Sequence, residues 1–296
     1  MLTILLGVLV EGFVYAIMAL GVYITYKILD FPDLSVDGTF PLGGAVTAVL
    51  IIGGVNPLLT LPISFLIGGL AGMITGIIHV KFKVRDLLSG IIVMTDLYSI
   101  NLRIAGKANL PIFTRESIFE NAFLESVIPK ALKQFSDVII LFVIVLVMKL
   151  LLDGYLKTKS GYLLRAVGDN ETLVTSLAKD KGTVKIIGLA ISNAYVALAG
   201  CIYTQKSGYF DISSMGTGTV VIGLASVIIG TNLFKQVSFI KATTAVIIGS
   251  VIYKACVSIA ISLGLVASDL KLITSVLFLA ILIIGSERKR KVKAHA

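Results

Sequence analysis

Long, nearly uninterrupted apolar runs separate the few charged clusters of this 296-residue chain. Hydrophobic residues make up 56% of the sequence and charged residues 15%, and the mean hydropathy is +0.98. A run of about 20 apolar residues is long enough to cross the hydrocarbon core of a bilayer as a helix. Only helices and closed barrels satisfy their backbone polar groups there. Because the runs are continuous rather than alternating, the sequence predicts an all-α polytopic membrane protein and excludes a soluble domain.

Nine apolar segments are recognisable, and we expect about nine to ten transmembrane helices, some of them short and broken. The segments are residues 5–27, 40–54, 57–80, 86–104, 136–153, 184–205, 217–234, 242–263 and 271–285. Basic residues gather after the third segment, in the central polar stretch, before the eighth segment and in the tail 287–296. Because basic loops remain in the cytoplasm, we expect the N-terminus outside and the C-terminus inside. The net charge of +9 therefore indicates topology and contact with lipid rather than nucleic acid.

Two short segments resemble each other, which predicts an internal repeat within one transmembrane domain, residues 1–296. DLSVDGT at 33–39 matches DISSMGT at 211–217 in its aspartate, serine, glycine and threonine. The proposed orientation gives the two copies opposite directions, as in inverted-repeat transporters whose substrate path lies between the repeats. The pseudo-repeat halves are then about 1–155 and 183–286, joined by a cytoplasmic loop at about 154–184. Chance similarity between two turn-plus-helix starts is the alternative.

The polar segment between the fifth and sixth apolar runs predicts a short amphipathic helix at a membrane face. Asp169 or Asn170 can cap its N-terminus, with Glu171 in the first turn. One polar and one apolar stripe follow, at helical spacing: Thr172, Thr175, Ser176 and Lys179, against Leu173, Val174, Leu177 and Ala178. Gly182 is placed to end the helix. The helix either docks a soluble partner or is an ordinary interfacial helix that binds nothing.

The run Arg165-Ala166-Val167-Gly168-Asp169-Asn170, with Ala178, Gly182 and the small-residue span ending at Gly200, resembles the signature loop of ABC importer permeases. The branch is the one that handles branched-chain amino acids, simple sugars and nucleosides. The N-terminal stretch YAIMALGVY, continuing through ILDFPDLSVDG, is similar to a subgroup linked to amino acids, including aromatic ones. The resemblance covers nearly the whole chain, although the glutamate-alanine-alanine loop of other importer permeases is absent.

This resemblance implies a translocating subunit rather than an enzyme, residing in the bacterial plasma (inner) membrane. In that family the loop helix couples to a cytoplasmic ATPase, an external solute-binding (lipo)protein delivers the solute, and two permease subunits pair, here as an expected homodimer. The coupling residues on this chain would be Arg165, Gly168, Asp169, Asn170, Glu171, Thr172, Thr175, Ser176 and Lys179. The solute is expected to be an amino acid; nucleosides and sugars remain open.

We expect no cofactor on this chain, with ATP and Mg held by the partner ATPase. There is no G-x-x-x-x-G-K-[ST] phosphate loop, and the cluster Gly216, Gly218 and Gly223 lacks its frame and lysine. Neither Cys201 nor Cys256 belongs to a metal-binding pattern.

Polar residues inside or beside the apolar runs are the candidates for the solute path. They are Ser35, Asp37, Thr39, Asp96, Asn101, Asn193, Ser213, Thr217 and Lys254. A charge near the bilayer centre costs at least about 2.5–3.5 kcal/mol unless it faces the protein interior or water. Asp96 and Lys254 are the deepest charges, and opposite sign at similar depth suggests that they either pair or line the path. Asparagines in spans are typically interhelical hydrogen-bond partners.

Two other classes of protein remain compatible with the pattern. An ion-coupled secondary transporter would suit an inverted repeat with a buried aspartate. A membrane scaffold that transports nothing is the third. The amphipathic loop favours the ABC permease, because a secondary transporter does not need a docking helix.

Overall fold

The computed structural model describes residues 2–121, 133–170, 180–235 and 239–262, with Val174, Val237 and isolated positions between 272 and 283. Its long elements are α-helices in an order that follows the predicted spans. They are α1 (Leu2–Val22), α2 (Val36–Ile52), α3 (Pro57–Lys81), α4 (Asp86–Ala105), α5 (Ser136–Tyr155), α7 (Lys181–Ser207), α9 (Thr219–Leu233) and α10 (Ala242–Ser262). Shorter elements are a π-helical turn (Tyr23–Ile28) that extends α1, a 3₁₀ turn (Lys133–Phe135), α6 (Lys159–Asp169), α8 (Ile212–Met215), and strands β1 (Asn109–Pro111) and β2 (Tyr209–Asp211).

Local sequence sets where these helices begin and end. Asn56 accepts a hydrogen bond from the Leu58 backbone N–H at 2.9 Å, with Pro57 in the first position of α3. Gly106 and Gly208 adopt left-handed φ values of 72° and 76° and end α4 and α7, a conformation that glycine reaches without strain.

Within the described residues, seven helical segments are long and apolar enough to cross a membrane. The predicted total of nine to ten spans is therefore not confirmed. The second predicted segment is a 17-residue helix, Val36–Ile52, shorter than a full span. The ninth segment, 271–285, and the basic tail fall almost entirely outside the described residues.

Helices α1 and α7 form the centre of the bundle, and α7 packs most extensively on α3 and α2. A β-carbon at Gly72 of α3 would collide with the Leu189 carbonyl oxygen of α7, and one at Gly43 of α2 with that of Ala197. Small residues therefore allow close helix approach at these contacts. Tyr15, Phe40 and Tyr203 join α1, α2 and α7 through rings 5.7–6.0 Å apart.

The bundle has two distinct ends. At one end, which we call the α6 end, the C-termini of α1, α3 and α5 meet α6 and the start of α7. At the other, the β1–β2 end, the two strands pair antiparallel with Leu110 opposite Phe210. There Gln205 near the end of α7 bonds Thr60 near the start of α3 at 2.9 Å.

Candidate coupling and translocation sites

Helix α6 was not predicted as a separate element, and it presents an amphipathic surface at the α6 end. Thr158 begins it by accepting a hydrogen bond from Gly161 N–H at 3.3 Å. Leu164 and Val167 are buried, whereas Arg165, Asp169 and Asn170 are exposed. Three of the predicted coupling residues therefore lie on one exposed surface.

Gly168, the fourth described coupling residue, lies against the end of α1. A β-carbon at this position would collide with the Ile28 carbonyl oxygen and would lie 3.1 Å from Cα of Leu29. No larger side chain fits while α6 keeps this position, so α6 contacts directly the segment that leads from α1 into α2.

The predicted coupling residues Glu171, Thr172, Thr175, Ser176 and Lys179 lie outside the described residues. Gly182 does not end a helix as predicted; it lies in the first turn of α7. The reason is Asp180, which caps α7 by accepting hydrogen bonds from the N–H groups of Gly182 and Thr183 at 2.9 and 3.2 Å. The Thr183 hydroxyl also donates to this exposed carboxylate, and these bonds hold the pKa of Asp180 below its usual value.

The linker between α1 and α2 carries a buried carboxylate that is bonded to α7. Asp33 accepts hydrogen bonds from Asn193 Nδ2 at 2.8 Å, from the Ser35 hydroxyl at 2.6 Å and from Ser35 N–H at 2.9 Å. All three residues are at most 4% exposed. Asn193 also donates to Leu189 O at 3.1 Å. Two predicted path residues, Ser35 and Asn193, are thus brought together, but in a buried contact between the linker and α7 rather than along an open path.

Sequence reasoning placed Asp33 in the repeat but did not name it as a site residue. The signal was available, because Asp33 is an aspartate between two apolar segments with a serine two positions later. That spacing allows the aspartate carboxylate to accept a hydrogen bond from the backbone N–H two residues later, as it does here from Ser35.

The two repeated segments make the same local hydrogen bonds. Asp33 accepts from Ser35 N–H at 2.9 Å, and Asp211 accepts from Ser213 N–H at 3.2 Å. The corresponding threonine hydroxyls donate four residues back, Thr39 to Ser35 O at 3.0 Å and Thr217 to Ser213 O at 3.2 Å. This agreement supports the predicted repeat, which stays a prediction.

The first repeated segment also bonds the residues that directly follow the second. Asp37, in the first turn of α2, accepts hydrogen bonds from the backbone N–H groups of Gly218 and Val220 at 3.1 and 2.7 Å. These groups belong to the start of α9. By its length α2 extends about 25 Å from this junction and α9 about 22 Å, at 1.5 Å per residue. The junction is partly buried, and each of the two helices begins there.

Asn101 connects α4 to the same junction. Its Nδ2 donates to Gly38 O at 3.0 Å, whereas its buried Oδ1 has no partner among the described residues. Asn101 is fully buried, so it faces the neighbouring helix α2 and not an open path.

The hypothesis that Asp96 pairs with Lys254 is wrong. The Lys254 ammonium lies 2.9 Å from Glu11 Oε2 and 4.1 Å from the centroid of the Tyr15 ring. Asp96 instead lies on the exposed face of α4. The pairing hypothesis failed because depth and charge sign do not determine which side of a helix a residue occupies.

The remaining predicted path residues, Ser213 and Thr217, are exposed around α8. Helix α8 contacts both α2 and α4. The structure therefore separates the predicted path residues into two groups, with Lys254 elsewhere. One group is buried or, for Asp37, partly buried around the starts of α2 and α9 and their contacts with α4 and α7, and the other is exposed on α4 and around α8.

Comparison with known proteins identifies the kind of protein that carries this arrangement. The sequence profile described as the permease component of branched-chain amino acid transport systems matches residues 4–286. The chain belongs to this permease family. The permease is 45% identical over 282 residues to a tyrosine transport system permease protein of Clostridioides difficile, covering 95% of this chain and 91% of that protein.

More distant relatives carry other solute names. A probable branched-chain amino acid transport permease of Methanocaldococcus jannaschii is 28% identical over 236 residues, covering 75% of this permease and 74% of the relative. A ribose import permease of Escherichia coli K12 is 25% identical over 233 residues, covering 76% of this permease and 68% of the relative. No solved structure matches this permease at a significant level.

Proposed function

We propose that this chain is the membrane-spanning subunit of an ABC importer that moves an amino acid, preferably an aromatic one such as tyrosine, into the cell. The observation that carries the proposal is its 45% identity, over 95% of the chain, to a permease named for tyrosine transport. The ribose and branched-chain relatives share far less identity, which favours the aromatic solute over theirs.

The proposed orientation puts the α6 end in the cytoplasm, with the N-terminus outside and the C-terminus inside a bacterial inner membrane. Basic side chains cluster at that end, as the positive-inside rule requires of a cytoplasmic face. They include Lys27, Lys81, Lys83, Arg85, Lys157, Lys159, Arg165, Lys181, Lys185 and Lys241.

A cytoplasmic ATPase would bind ATP and Mg and dock on α6 and the residues that follow it. Arg165, Asp169 and Asn170 would contact the ATPase, because they are exposed at this end. Glu171, Thr172, Thr175, Ser176 and Lys179 complete the proposed docking surface.

A continuous set of contacts would transmit movement of α6 into the bundle. Gly168 touches Ile28 at the end of α1, and the following linker holds Asp33, which bonds Asn193 of α7. Asp37, four residues beyond Asp33, bonds the start of α9. Packed cores shift between discrete arrangements rather than deforming continuously. Displacement of α6 would therefore move α2, α7 and α9 together.

Two copies of the chain would assemble around an axis along the membrane normal, since both must insert in the same orientation. An external solute-binding protein would deliver the amino acid to the β1–β2 end. The path would run between the two copies, because the described interior of one copy is filled by the buried contacts around Asn193 and Asp37.

Reconstitution tests the function directly. The permease is placed in proteoliposomes with the ATPase and binding protein encoded near it, and uptake of radiolabelled tyrosine is measured with and without ATP. Uptake that requires ATP and the binding protein supports the proposal. Uptake driven by an ion gradient without the ATPase would instead support a secondary transporter. If the binding protein retained ribose but not tyrosine, the proposed solute would be ribose instead of tyrosine.

A further inference from the structure

Helix α4 carries a polar stripe on its exposed face. Thr95, Asp96, Ser99 and Arg103 are all exposed, whereas Val93, Leu97 and Asn101 on the opposite face are buried. At 100° per residue the four polar residues fall within about 100° of one another. Toward the α6 end the same face is apolar, with Leu88 and Ile92 exposed.

The charges of this stripe have no protein partner in the part of the chain that the structure describes. Neither Asp96 nor Arg103 forms a hydrogen bond or ion pair there. Asp96 lies midway along a helix of 20 residues that qualifies as a span. A charge at that depth is strongly disfavoured against lipid and therefore faces water or protein.

Symmetry restricts what can lie opposite the stripe. If the exposed face of α4 borders the proposed path between the two copies, the two α4 helices run parallel there. Asp96 of one copy then lies at the same depth as Asp96 of the other, and the same holds for Arg103. Two carboxylates facing each other cannot neutralise one another, and two guanidinium groups cannot either. The first level therefore attracts a cation and the second an anion.

We propose that this stripe binds the charged head of a zwitterionic amino acid, with Asp96 holding its ammonium and Arg103 its carboxylate. Seven residues separate the two side chains, which is about 10.5 Å along the helix and nearly two whole turns. Because helical side chains lean toward the N-terminus, the long Arg103 side chain extends back toward Ser99 and Asp96. Guanidinium pairs well with carboxylate, and the Ser99 hydroxyl lies between the two charges. This proposal rests on the proposed function and specifies the ligand of its path.

Cysteine labelling in nanodiscs tests the site without the binding protein or ATPase. Ser99→Cys is made in a background in which the exposed Cys256 is alanine, and Leu146→Cys, on an exposed apolar face of α5, is the lipid-facing control. We expect the ratio of the Ser99→Cys labelling rates with the trimethylammonium and the sulfonate methanethiosulfonates to exceed the same ratio for free 2-mercaptoethanol at least tenfold, and Asp96→Asn to remove this excess. Leu146→Cys should remain unreactive.

Protection by ligand identifies the chemistry. L-Tyrosine should slow the labelling of Ser99→Cys at least threefold, whereas tyramine, which lacks the carboxylate, and 3-(4-hydroxyphenyl)propionate, which lacks the ammonium, should not. Asp96→Asn and Arg103→Gln should each abolish protection, and Lys107→Gln, an exposed charge four residues beyond Arg103, should keep it.

The inference would be overturned if Ser99→Cys were labelled as slowly as Leu146→Cys. It would also be overturned if all three compounds protected equally, or if none did. These results would leave ATP-driven uptake intact. Conversely, protection by tyrosine in a permease that fails to import with ATP would contradict the proposed function and leave the binding site standing.

Discussion

The carboxylate of Asp37 joins the starts of two helices that are distant in sequence. It accepts hydrogen bonds from the N–H groups of Val220 and Gly218 at 2.7 and 3.1 Å, while Asp37 itself lies in the first turn of α2. The first N–H groups of a helix have no partner within that helix, and a negative charge there is favourable. One side chain therefore caps α9 and holds it against α2.

We expect Asp37→Ala to destabilise the permease by about 1–2 kcal/mol, the usual cost of losing a helix cap. Asp37→Asn should cost less, because it keeps one acceptor oxygen. Thermal unfolding of the purified protein in detergent measures the change. Asp211→Ala is the matched control, since Asp211 caps only the adjacent α8 through Ser213 and Ser214. Equal losses in both variants would show that joining α2 to α9 adds no stability.

Most helices could be predicted because an apolar run in a membrane has few alternatives to a helix. The fifth run, predicted at 136–153, is α5 at Ser136–Tyr155. The short α6 was missed, since only three of its 11 residues are buried and its composition resembles a loop. Asn193 was recognised as a residue suited to interhelical hydrogen bonds, but its partner Asp33 required knowledge of how the linker folds back.

The Asp33–Asn193 bond gives a prediction about pairs of substitutions. Asn193→Leu removes a donor from a buried carboxylate and should cost about 1–3 kcal/mol, the range for a buried polar group left unsatisfied. Combining it with Asp33→Leu should cost less than the sum of the two single variants, because no unsatisfied charge remains. Unfolding by denaturant in mixed micelles gives the four free energies of the cycle. Additive costs would mean that the two side chains act independently.

Asp96 and Lys254 show where sequence reasoning reaches its limit. Their depth followed from the spans, and their signs from the residue types. The direction in which each side chain faces depends on how the helices rotate against their neighbours. That rotation is set by many small packing contacts, such as Gly12 of α1 against Val251 of α10, which no single motif reveals.

A double-mutant cycle distinguishes the observed pair from the rejected one. Glu11→Gln and Lys254→Met should show a coupling energy of about 1 kcal/mol, because their charged groups lie 2.9 Å apart. Asp96→Asn and Lys254→Met should be additive. Thermal unfolding at fixed pH and salt supplies the values. Coupling in the second cycle but not in the first would contradict the helix arrangement described above.

The contact between Gly168 and Ile28 predicts that a substitution at Gly168 impairs transport without impairing insertion of the protein into the membrane. In Gly168→Ala the new methyl group collides with the Ile28 carbonyl oxygen, so α6 must shift away from the end of α1. We expect ATP-driven uptake to fall at least tenfold, while the amount of inserted protein and its binding to the ATPase stay unchanged. Gly154→Ala in α5 is the control, because its β-carbon meets no atom within 4 Å. The variants are compared by uptake and ATP hydrolysis in the same proteoliposomes. If Gly168→Ala transports as well as Gly154→Ala, movement of α6 is not transmitted through the end of α1, and the sequence of contacts from Gly168 to Asp33 and Asn193 is not the route of coupling.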